Sequence, residues 1–241
     1  MSTGTVRLQL LGPVLVGGAA GKQPSSPARA TEAIAFMALH PWDNHTLLDE
    51  AMWPGRRVSA TNRSVLMHQA RTWLGTDERG RPHVSLVAEA GYRLHQVDVD
   101  VERFQQLVGA SSRASSSTAL TQALRMVKGQ PFSGVNPARY TWADVVRQEL
   151  ITQICEVAEE LTHRALKAER ARVASWASAV GLRADPASER LWRLRMQAAA
   201  ATGHRQEIMS AAAALRSTLD PLGELEQGTL ELLTQLTGPG R

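Results

Sequence analysis

The sequence has one cysteine in 241 residues, three lysines and no long hydrophobic run. A single cysteine, Cys155, cannot form a disulfide bond within the chain, which fits a reducing compartment. Because Cys155 stands among aliphatic residues, we expect an unreactive buried thiol rather than a nucleophile. No apolar stretch approaches the roughly 20 residues that a membrane-spanning helix needs. We therefore expect no membrane contact within this chain.

Motifs of catalysis and of metal binding are also missing. The seven histidines show no metal-ligand spacing with one another or with Cys155, and there is no Gly-x-Ser-x-Gly elbow. The segment 17–22 resembles a phosphate-binding loop, but its spacing is one residue short. Gln23 also replaces the Ser or Thr that would bind magnesium. We expect no catalytic residue, no metal and no cofactor, and the chain is not predicted to be an enzyme.

The composition is that of a globular protein with a core, since 43% of the residues are hydrophobic and 21% are charged. The net charge of +4 permits a polyanionic partner but does not demand one. Residues 1–6 have neither the basic nor the apolar region of a secretion signal. We expect a cytoplasmic protein or a soluble part of a larger one.

The first 98 residues combine short β-branched segments with three helical segments and a predicted hairpin turn at Glu89-Ala90-Gly91. In chain order, the predicted elements are strands at 6–11 and 14–16, helices at 28–40, 46–53 and 59–74, and hairpin strands at 84–87 and 92–94. Three helices closed by a hairpin are typical of a winged helix-turn-helix, with the third helix in the recognition position. We therefore predict an α+β winged helix-turn-helix domain over residues 1–98.

Residues 99–241 show helical patterns only, so the whole chain is predicted to be predominantly α. The longest helix is predicted over 141–168, where Thr141 and Asp144 have the spacing of a capping box. Asp185-Pro186 and Asp220-Pro221 lie 35 residues apart, close to the tetratricopeptide (TPR) period of about 34. In each pair the Asp could cap the next helix and the Pro could occupy its first turn. We predict an all-α, TPR-like helical repeat domain over residues 99–241.

Several segments, taken in order, carry a resemblance to a known family. They are Leu11-Gly12-Pro13, residues 50–54, residues 70–75, residues 91–94, Asp100 with Arg103-Phe104, residues 129–132, residues 140–143 and Glu149-Leu150. The chain thereby resembles the bacterial transcriptional activator domain (BTAD) family, which includes the Streptomyces antibiotic regulatory proteins. Residues 73–75 and 140–143 are most similar to one branch of this family. In that branch, a region of this kind forms the C-terminal end of large actinobacterial membrane proteins that also carry LysM domains.

The resemblance implies DNA-binding transcriptional activation in an actinobacterium. It also implies that the helical domain serves dimerisation, giving a homodimer, or contacts RNA polymerase or another protein partner. One departure concerns the end of the third helix, where family members often have Ser-Arg-x-Arg. This chain has His68-Gln69-Ala70-Arg71 there, so one expected cation is missing.

Seven residues in or before the third helix and in the hairpin are candidates for contacts with double-stranded DNA. They are Arg56, Arg57, Arg63, His68, Gln69, Arg71 and Arg93. We expect Arg63 and Gln69 to contact bases, and Arg56, Arg57 and Arg93 to contact phosphates. The alternative is that these are ordinary surface residues. Residues 1–98 carry ten basic and eight acidic side chains, a weak excess for a protein whose affinity depends on phosphate neutralisation.

The sequence is compatible with three functions. The first is a DNA-binding transcriptional regulator, favoured by the winged-helix outline. The second is a protein-interaction or scaffold module that keeps the fold without binding DNA, favoured by the modest charge and by His68 and Gln69. The third is a cytoplasmic sensor whose repeat groove, near Trp176 and Trp192, binds a peptide or a small effector. We otherwise expect these two tryptophans, like Trp53 and Trp73, to be core residues. On the third helix, we expect Leu66, Ala70 and Leu74 to pack inward together with Trp73.

Overall fold

A computed structural model describes residues 5–88 and 91–238 of the chain, which are predominantly helical with two small sheets in the N-terminal part. In chain order the elements are β1 (Val6–Gln9), β2 (Leu15–Gly17), α1 (Pro27–Leu39), α2 (His45–Met52), α3 (Ala60–Leu74), β3 (Val84–Val87), β4 (Gly91–Leu94), β5 (Val97–Val99), α4 (Asp100–Val108), α5 (Ser117–Met126), α6 (Asp144–Lys167), α7 (Ala171–Ala184), α8 (Glu189–Ala200), α9 (Arg205–Leu219) and α10 (Gln227–Thr237). The predicted order of strands, three helices and a hairpin is present. Glu89 and Ala90 of the predicted hairpin turn lie outside the described residues.

The chain forms two compact units, which do not correspond to a single cut at residue 98. Unit 1 combines Met1–Arg103 with Pro131–Gln148, and unit 2 combines Phe104–Gln130 with Glu149–Arg241. The segment Pro131–Gln148, which the sequence pattern assigns to the helical region, therefore packs with the strand-containing unit.

The larger sheet of unit 1 has the strand order β2-β1-β5. Strand β1 pairs antiparallel with β2, where Leu8 faces Val16, and parallel with β5, where Leu8 faces Val99. Strand β5 was not predicted, because its three residues lack an alternating pattern long enough to separate them from the helix that follows. Asp100 begins α4 and accepts hydrogen bonds from the backbone N–H groups of Leu10 at 2.8 Å and Leu11 at 3.0 Å. This carboxylate ties the start of α4 to the end of β1.

The helices of unit 1 begin at residues that the sequence makes recognisable. Pro27 stands in the first turn of α1, where its missing N–H has no cost. The Asn44 side chain caps α2 by accepting from the N–H groups of Thr46 at 2.9 Å and Leu47 at 3.2 Å. Helix α1 is buried along most of its length and packs against α2, α3 and β4. It is the central element of the unit 1 core.

An aromatic cluster attaches the segment Pro131–Gln148 within unit 1. Trp142 meets Phe36 edge-on with ring centroids 5.2 Å apart, and Phe36 stacks on His40 at 4.6 Å. Trp142 also lies near Tyr140 and Phe132, at 5.6 and 6.3 Å. Such pairs contribute about 0.5–1.5 kcal/mol each beyond the area that they bury. The Tyr140 and Trp142 positions that carry the family resemblance are therefore packing residues.

The capping box predicted at Thr141 and Asp144 is wrong. Helix α6 begins at Asp144, and Thr141–Ala143 form a 3-10 turn in which the N–H of Ala143 donates to the carbonyl of Tyr140 at 2.9 Å. Because Tyr140 and Trp142 are held in the aromatic cluster, the chain there follows a tighter turn than an α-helical start would allow.

Unit 2 consists of helices and their connecting turns, with no strand among its described residues; α7 packs on α8, α8 on α9, and α9 on α10. Helix α6 has an apolar stripe that is buried from Leu150 onward, through Ile154, Val157, Leu161 and Ala165, and Val146 at its start is half-buried. Trp192 is buried as predicted, and its indole N–H donates to the carbonyl of Pro186 at 2.9 Å. Trp176 of unit 2 and Trp53 of unit 1, which were also predicted to be core residues, are only half-buried.

The caps predicted at the two Asp-Pro dipeptides of unit 2 are wrong. Asp185 ends α7, and Ser188 caps α8 instead, its Oγ accepting from the N–H of Leu191 at 3.4 Å. The second dipeptide lies in a 3-10 turn, Asp220–Leu222, and α10 begins only at Gln227. Each dipeptide therefore closes the preceding helix rather than opening the next.

Candidate nucleic-acid interface

Helix α3 is placed by a buried face and by defined ends. The Ser59 hydroxyl caps its start by accepting from the N–H of Asn62 at 3.2 Å. At its end Gly75 takes a φ of 76°, a left-handed conformation that favours glycine. The residues predicted to pack inward are all buried, which confirms the facing of this helix: Leu66, Ala70, Trp73 and Leu74.

The opposite side of α3, which we call the α3 outer face, is exposed and formally neutral. Its exposed side chains are Thr61, Asn62, Ser64, Val65, His68, Gln69 and Thr72. Val65 is the apolar member and is 53% exposed. Hydroxyl, amide and imidazole groups can exchange hydrogen bonds with base edges or phosphates. The face offers polar recognition without a fixed positive charge.

Two arginines of α3 are engaged within unit 1 rather than presented outward. Arg63 forms an ion pair with Asp49 of α2, and both side chains are mostly buried. Arg71 donates from Nε to the carbonyl of Val84 in β3 at 3.0 Å. Because charged hydrogen bonds are stronger than neutral ones, these contacts hold α3 against α2 and against the hairpin.

The hairpin is braced against the start of α2 in the same way. Arg93 donates to the carbonyl of Asp43 at 2.9 Å. Gly91 has a φ of 83°, and a Cβ atom there would stand 3.0 Å from the backbone nitrogen of His45. Glycine is thus required both by the backbone conformation and by the close approach of the two segments. The candidate interface is a braced arrangement of α2, α3 and the hairpin.

The other four candidates are exposed. Arg56 and Arg57 lie in the loop between α2 and α3, and His68 and Gln69 lie on the α3 outer face. Among the described residues, His68 makes one long contact, 3.5 Å from Nε2 to the Thr72 hydroxyl. The structure therefore separates the seven candidates into four that can meet a ligand directly and three that already hold internal partners.

Unit 1 contains a buried carboxyl group, Glu32, and a half-buried one, Asp100, and sequence reasoning had not singled out Glu32. Burial raises the pKa of Glu32, although the Arg29 guanidinium, 2.9 Å away, Arg139 and the Trp142 indole lower it. Burial likewise raises the pKa of Asp100, against the lowering effect of its backbone hydrogen bonds. Glu32 had no local signal, because its burial depends on segments distant in sequence.

Exposed apolar side chains around the hairpin were also missed. Trp42 is 87% exposed in the loop before α2, and Leu86 is 61% exposed on β3. Leu47 and Val87 are exposed as well. The position of Trp42 after Pro41, between two helices, is the sequence signal that could have identified it.

Thiol and metal chemistry gain no support from the structure. Burial, with smaller contributions from Asp185, Glu159 and Glu156, raises the pKa of the Cys155 thiol to about 12. The thiol is half-buried and stays protonated at neutral pH.

Within residues 5–88 and 91–238, no three His, Cys, Asp or Glu side chains stand close enough to hold a metal ion. No helix in these ranges is long and apolar enough to cross a membrane.

Comparisons with known proteins identify the family through a family model and the fold through a solved structure. The family model described as bacterial transcriptional activator domain matches residues 99–233, more than half of the chain. Among solved structures, the chain is similar to Mycobacterium tuberculosis EmbR in complex with a low-affinity phosphopeptide, with a TM-score of 0.61 and 19% identity. The match covers 97% of this chain and 65% of the EmbR chain, so this chain spans less than two thirds of that protein's length. No curated protein matches it by sequence.

Proposed function

This chain belongs to the bacterial transcriptional activator domain family, and we propose that it is a DNA-binding transcriptional regulator. In this proposal α1 to α3 and the β3–β4 hairpin are a winged helix-turn-helix, α3 enters the major groove and the hairpin rests on the backbone. The observation that carries the proposal is the exposed polar α3 outer face, held by a buried opposite face and by the Arg63, Arg71 and Arg93 contacts.

The exposed candidates divide by chemistry. Gln69 and His68 lie on the helix face that would meet base edges, and an amide can bond adenine at two positions. Arg56 and Arg57 lie in the loop before α3, where guanidinium groups would meet phosphates. Base contact by Arg63 and phosphate contact by Arg93 stay predictions, since each would have to leave its present partner, Asp49 or the Asp43 carbonyl.

We further propose that the helical region, with its TPR-like pairs α7–α8 and α9–α10, contacts a protein. The partner would be a second copy of the chain or RNA polymerase, as the family resemblance implies. A cytoplasmic location and the absence of enzymatic activity belong to the same proposal. The EmbR structure contains a phosphopeptide, but the EmbR chain extends beyond the matched length. We therefore do not transfer its binding partner to this chain.

The test is a fluorescence-polarisation titration of the full chain against duplexes selected from genomic fragments and against random duplexes, across a salt series. Arg57→Ala should weaken binding to all duplexes alike and lower the salt slope by about one unit. Gln69→Ala should cost about 1–3 kcal/mol on the selected duplex and much less on random DNA. Arg7→Ala, an exposed arginine on β1, is the matched control and should change neither.

The proposal fails if the wild-type chain shows no salt-dependent binding to any duplex at low salt. A second candidate function would then stand, a protein-interaction module that keeps the winged-helix fold. It is favoured by the neutral α3 outer face with its exposed Val65, and by the exposed Trp42 and Leu86 near the hairpin. Exposed apolar groups that form a contiguous patch are typical of contact surfaces between proteins.

A further inference from the structure

A concave site of about 500 Å³ lies in unit 2, between α5 and the start of α7, and it is independent of the DNA-binding proposal. Leu161 of α6 and Trp176 of α7 form its apolar part. Gln122 and the hydroxyl groups of the first turns of α5 add hydrogen-bonding groups. Pockets for small molecules measure about 300–1,000 Å³ and combine apolar walls with a few polar groups. We call this site the arginine cavity.

Three arginines line the cavity: Arg125, Arg170 and Arg172. No Asp or Glu is among its lining residues. The salt bridges between described residues include none of the three, whereas Arg164, Arg190 and Arg193 of the same unit each pair with a glutamate. Each of the three is exposed. The cavity therefore presents about three positive charges, and none of them forms a salt bridge with a described side chain.

The position of two of these arginines is unfavourable for the helix itself. Arg170 occupies the N-cap position of α7 without making a side-chain cap, and Arg172 lies in the first turn, which has no acidic residue. The positive end of the helix dipole favours acidic side chains there and disfavours basic ones. Helix stability therefore does not explain Arg170 and Arg172. An anion bound in the cavity would relieve this repulsion.

We propose that the arginine cavity binds a nucleotide, with its planar base against Trp176 and its phosphates on Arg125, Arg170 and Arg172. Guanidinium groups bind phosphate oxygens bidentately, and the indole of Trp176 is half-buried with space beside it. A single carboxylate would neutralise one of the three cations, whereas a di- or triphosphate neutralises all of them. The amide of Gln122 and the nearby hydroxyls suit the sugar and the base edge.

The test is calorimetric titration of the full chain, free of DNA, with ATP, adenosine and tripolyphosphate as probes. ATP should bind with one site per chain and more tightly than either fragment. The double variant Arg170→Ala/Arg172→Ala should weaken ATP binding by about tenfold or more, because each charged hydrogen bond is worth at least a factor of ten. Trp176→Leu should weaken ATP binding but leave tripolyphosphate binding unchanged.

The matched control is Arg183→Ala/Arg216→Ala, which removes two exposed arginines of unit 2 that do not line the cavity. It should bind ATP as the wild type does. Circular dichroism at rising temperature should show that all variants keep the wild-type fold. The proposal is overturned if ATP gives no saturable binding, if the cavity variants bind it like the control, or if tripolyphosphate binds as tightly as ATP. None of these outcomes bears on duplex DNA binding, which is measured separately.

Discussion

The arginines of the α2–α3–hairpin region in unit 1 and those of the arginine cavity in unit 2 differ in what they contact. In the first region Arg63, Arg71 and Arg93 hold Asp49 or backbone carbonyls. In the cavity the three arginines make no ion pair among the described residues. The contrast shows that an arginine on a predicted recognition helix can have a structural role. An arginine that belongs to no recognised sequence motif can, in turn, be available for a ligand.

The two arrangements have different consequences for recognition. Internal arginine contacts fix the position of α3 relative to the hairpin, which is what a rigid binding surface requires. They also remove positive charge from the surface that would meet DNA, so that Arg56 and Arg57 are the exposed arginines among the seven candidates. If the chain binds DNA as proposed, electrostatic attraction to phosphates would therefore be weak in this region, and recognition would depend on polar groups such as Gln69.

The largest expected effect tests the facing of α3, on which this comparison depends. Trp73 is 6% exposed and packs on the inner side of the helix. Trp73→Ala should lower the free energy of unfolding by about 3–5 kcal/mol, because truncating a buried aromatic loses its burial and leaves a cavity. Chemical denaturation followed by circular dichroism measures this change.

Trp42 is the matched control for Trp73, since it is 87% exposed. Trp42→Ala should change the free energy of unfolding by no more than about 0.5 kcal/mol. If the two substitutions have equal effects, α3 is rotated relative to the structure. The assignment of inner and outer residues would then have to be withdrawn.

The next effect concerns the role of Arg63. Its side chain is 16% exposed and that of Asp49 is 19% exposed. Arg63→Ala should therefore cost about 1.5–3 kcal/mol of stability, the range for a lost hydrogen bond to a charged group. Arg57→Ala, in the exposed loop before α3, should cost no more than about 0.5 kcal/mol. Denaturant titration of both variants gives the comparison.

A double-mutant cycle with Asp49→Ala separates the pair from general effects of substitution. Arg63→Ala should cost little once Asp49 has been removed. An Arg63→Ala variant as stable as Arg57→Ala would mean that Arg63 is free in solution. Arg63 would then return to the base-contacting role predicted from the sequence.

Local sequence signals predicted most elements and the orientation of α3. Ser59 and Gly75 mark the two ends of α3, and the spacing of Leu66, Ala70 and Trp73 indicates its buried face. These features depend on neighbours within a few residues. The same holds for the helical pairs of unit 2, although Ser188 rather than Asp185 caps α8.

Features that depend on distant segments could not be predicted in this way. The partner of Arg93 lies 50 residues away in sequence. Helices α5 and α7, which both line the arginine cavity, are separated in sequence by the whole of α6. The 3-10 turn at Thr141 follows from aromatic packing onto Phe36 of α1. For such residues the sequence indicates which chemical group is present but not which residue that group contacts.

The smallest expected effect tests another internal arginine contact of unit 1, the one between the Arg29 guanidinium and Glu32. Because burial raises the pKa of Glu32 despite Arg29, the folded state favours the neutral carboxyl group. The contribution of Glu32 to stability is complete below the pKa of the unfolded state and is lost as the pH rises through the pKa of the folded state. The side chain of Glu32→Gln stays neutral throughout, so the stability of this variant relative to the wild type should rise from acidic to neutral pH and then level off.

Asp100, whose pKa is raised in both proteins, cancels in the difference. Denaturant titrations at a series of pH values measure this difference. A variant that loses stability relative to the wild type with rising pH would show that attraction by Arg29 exceeds the cost of burial, and that the pair stabilises unit 1 as an ion pair.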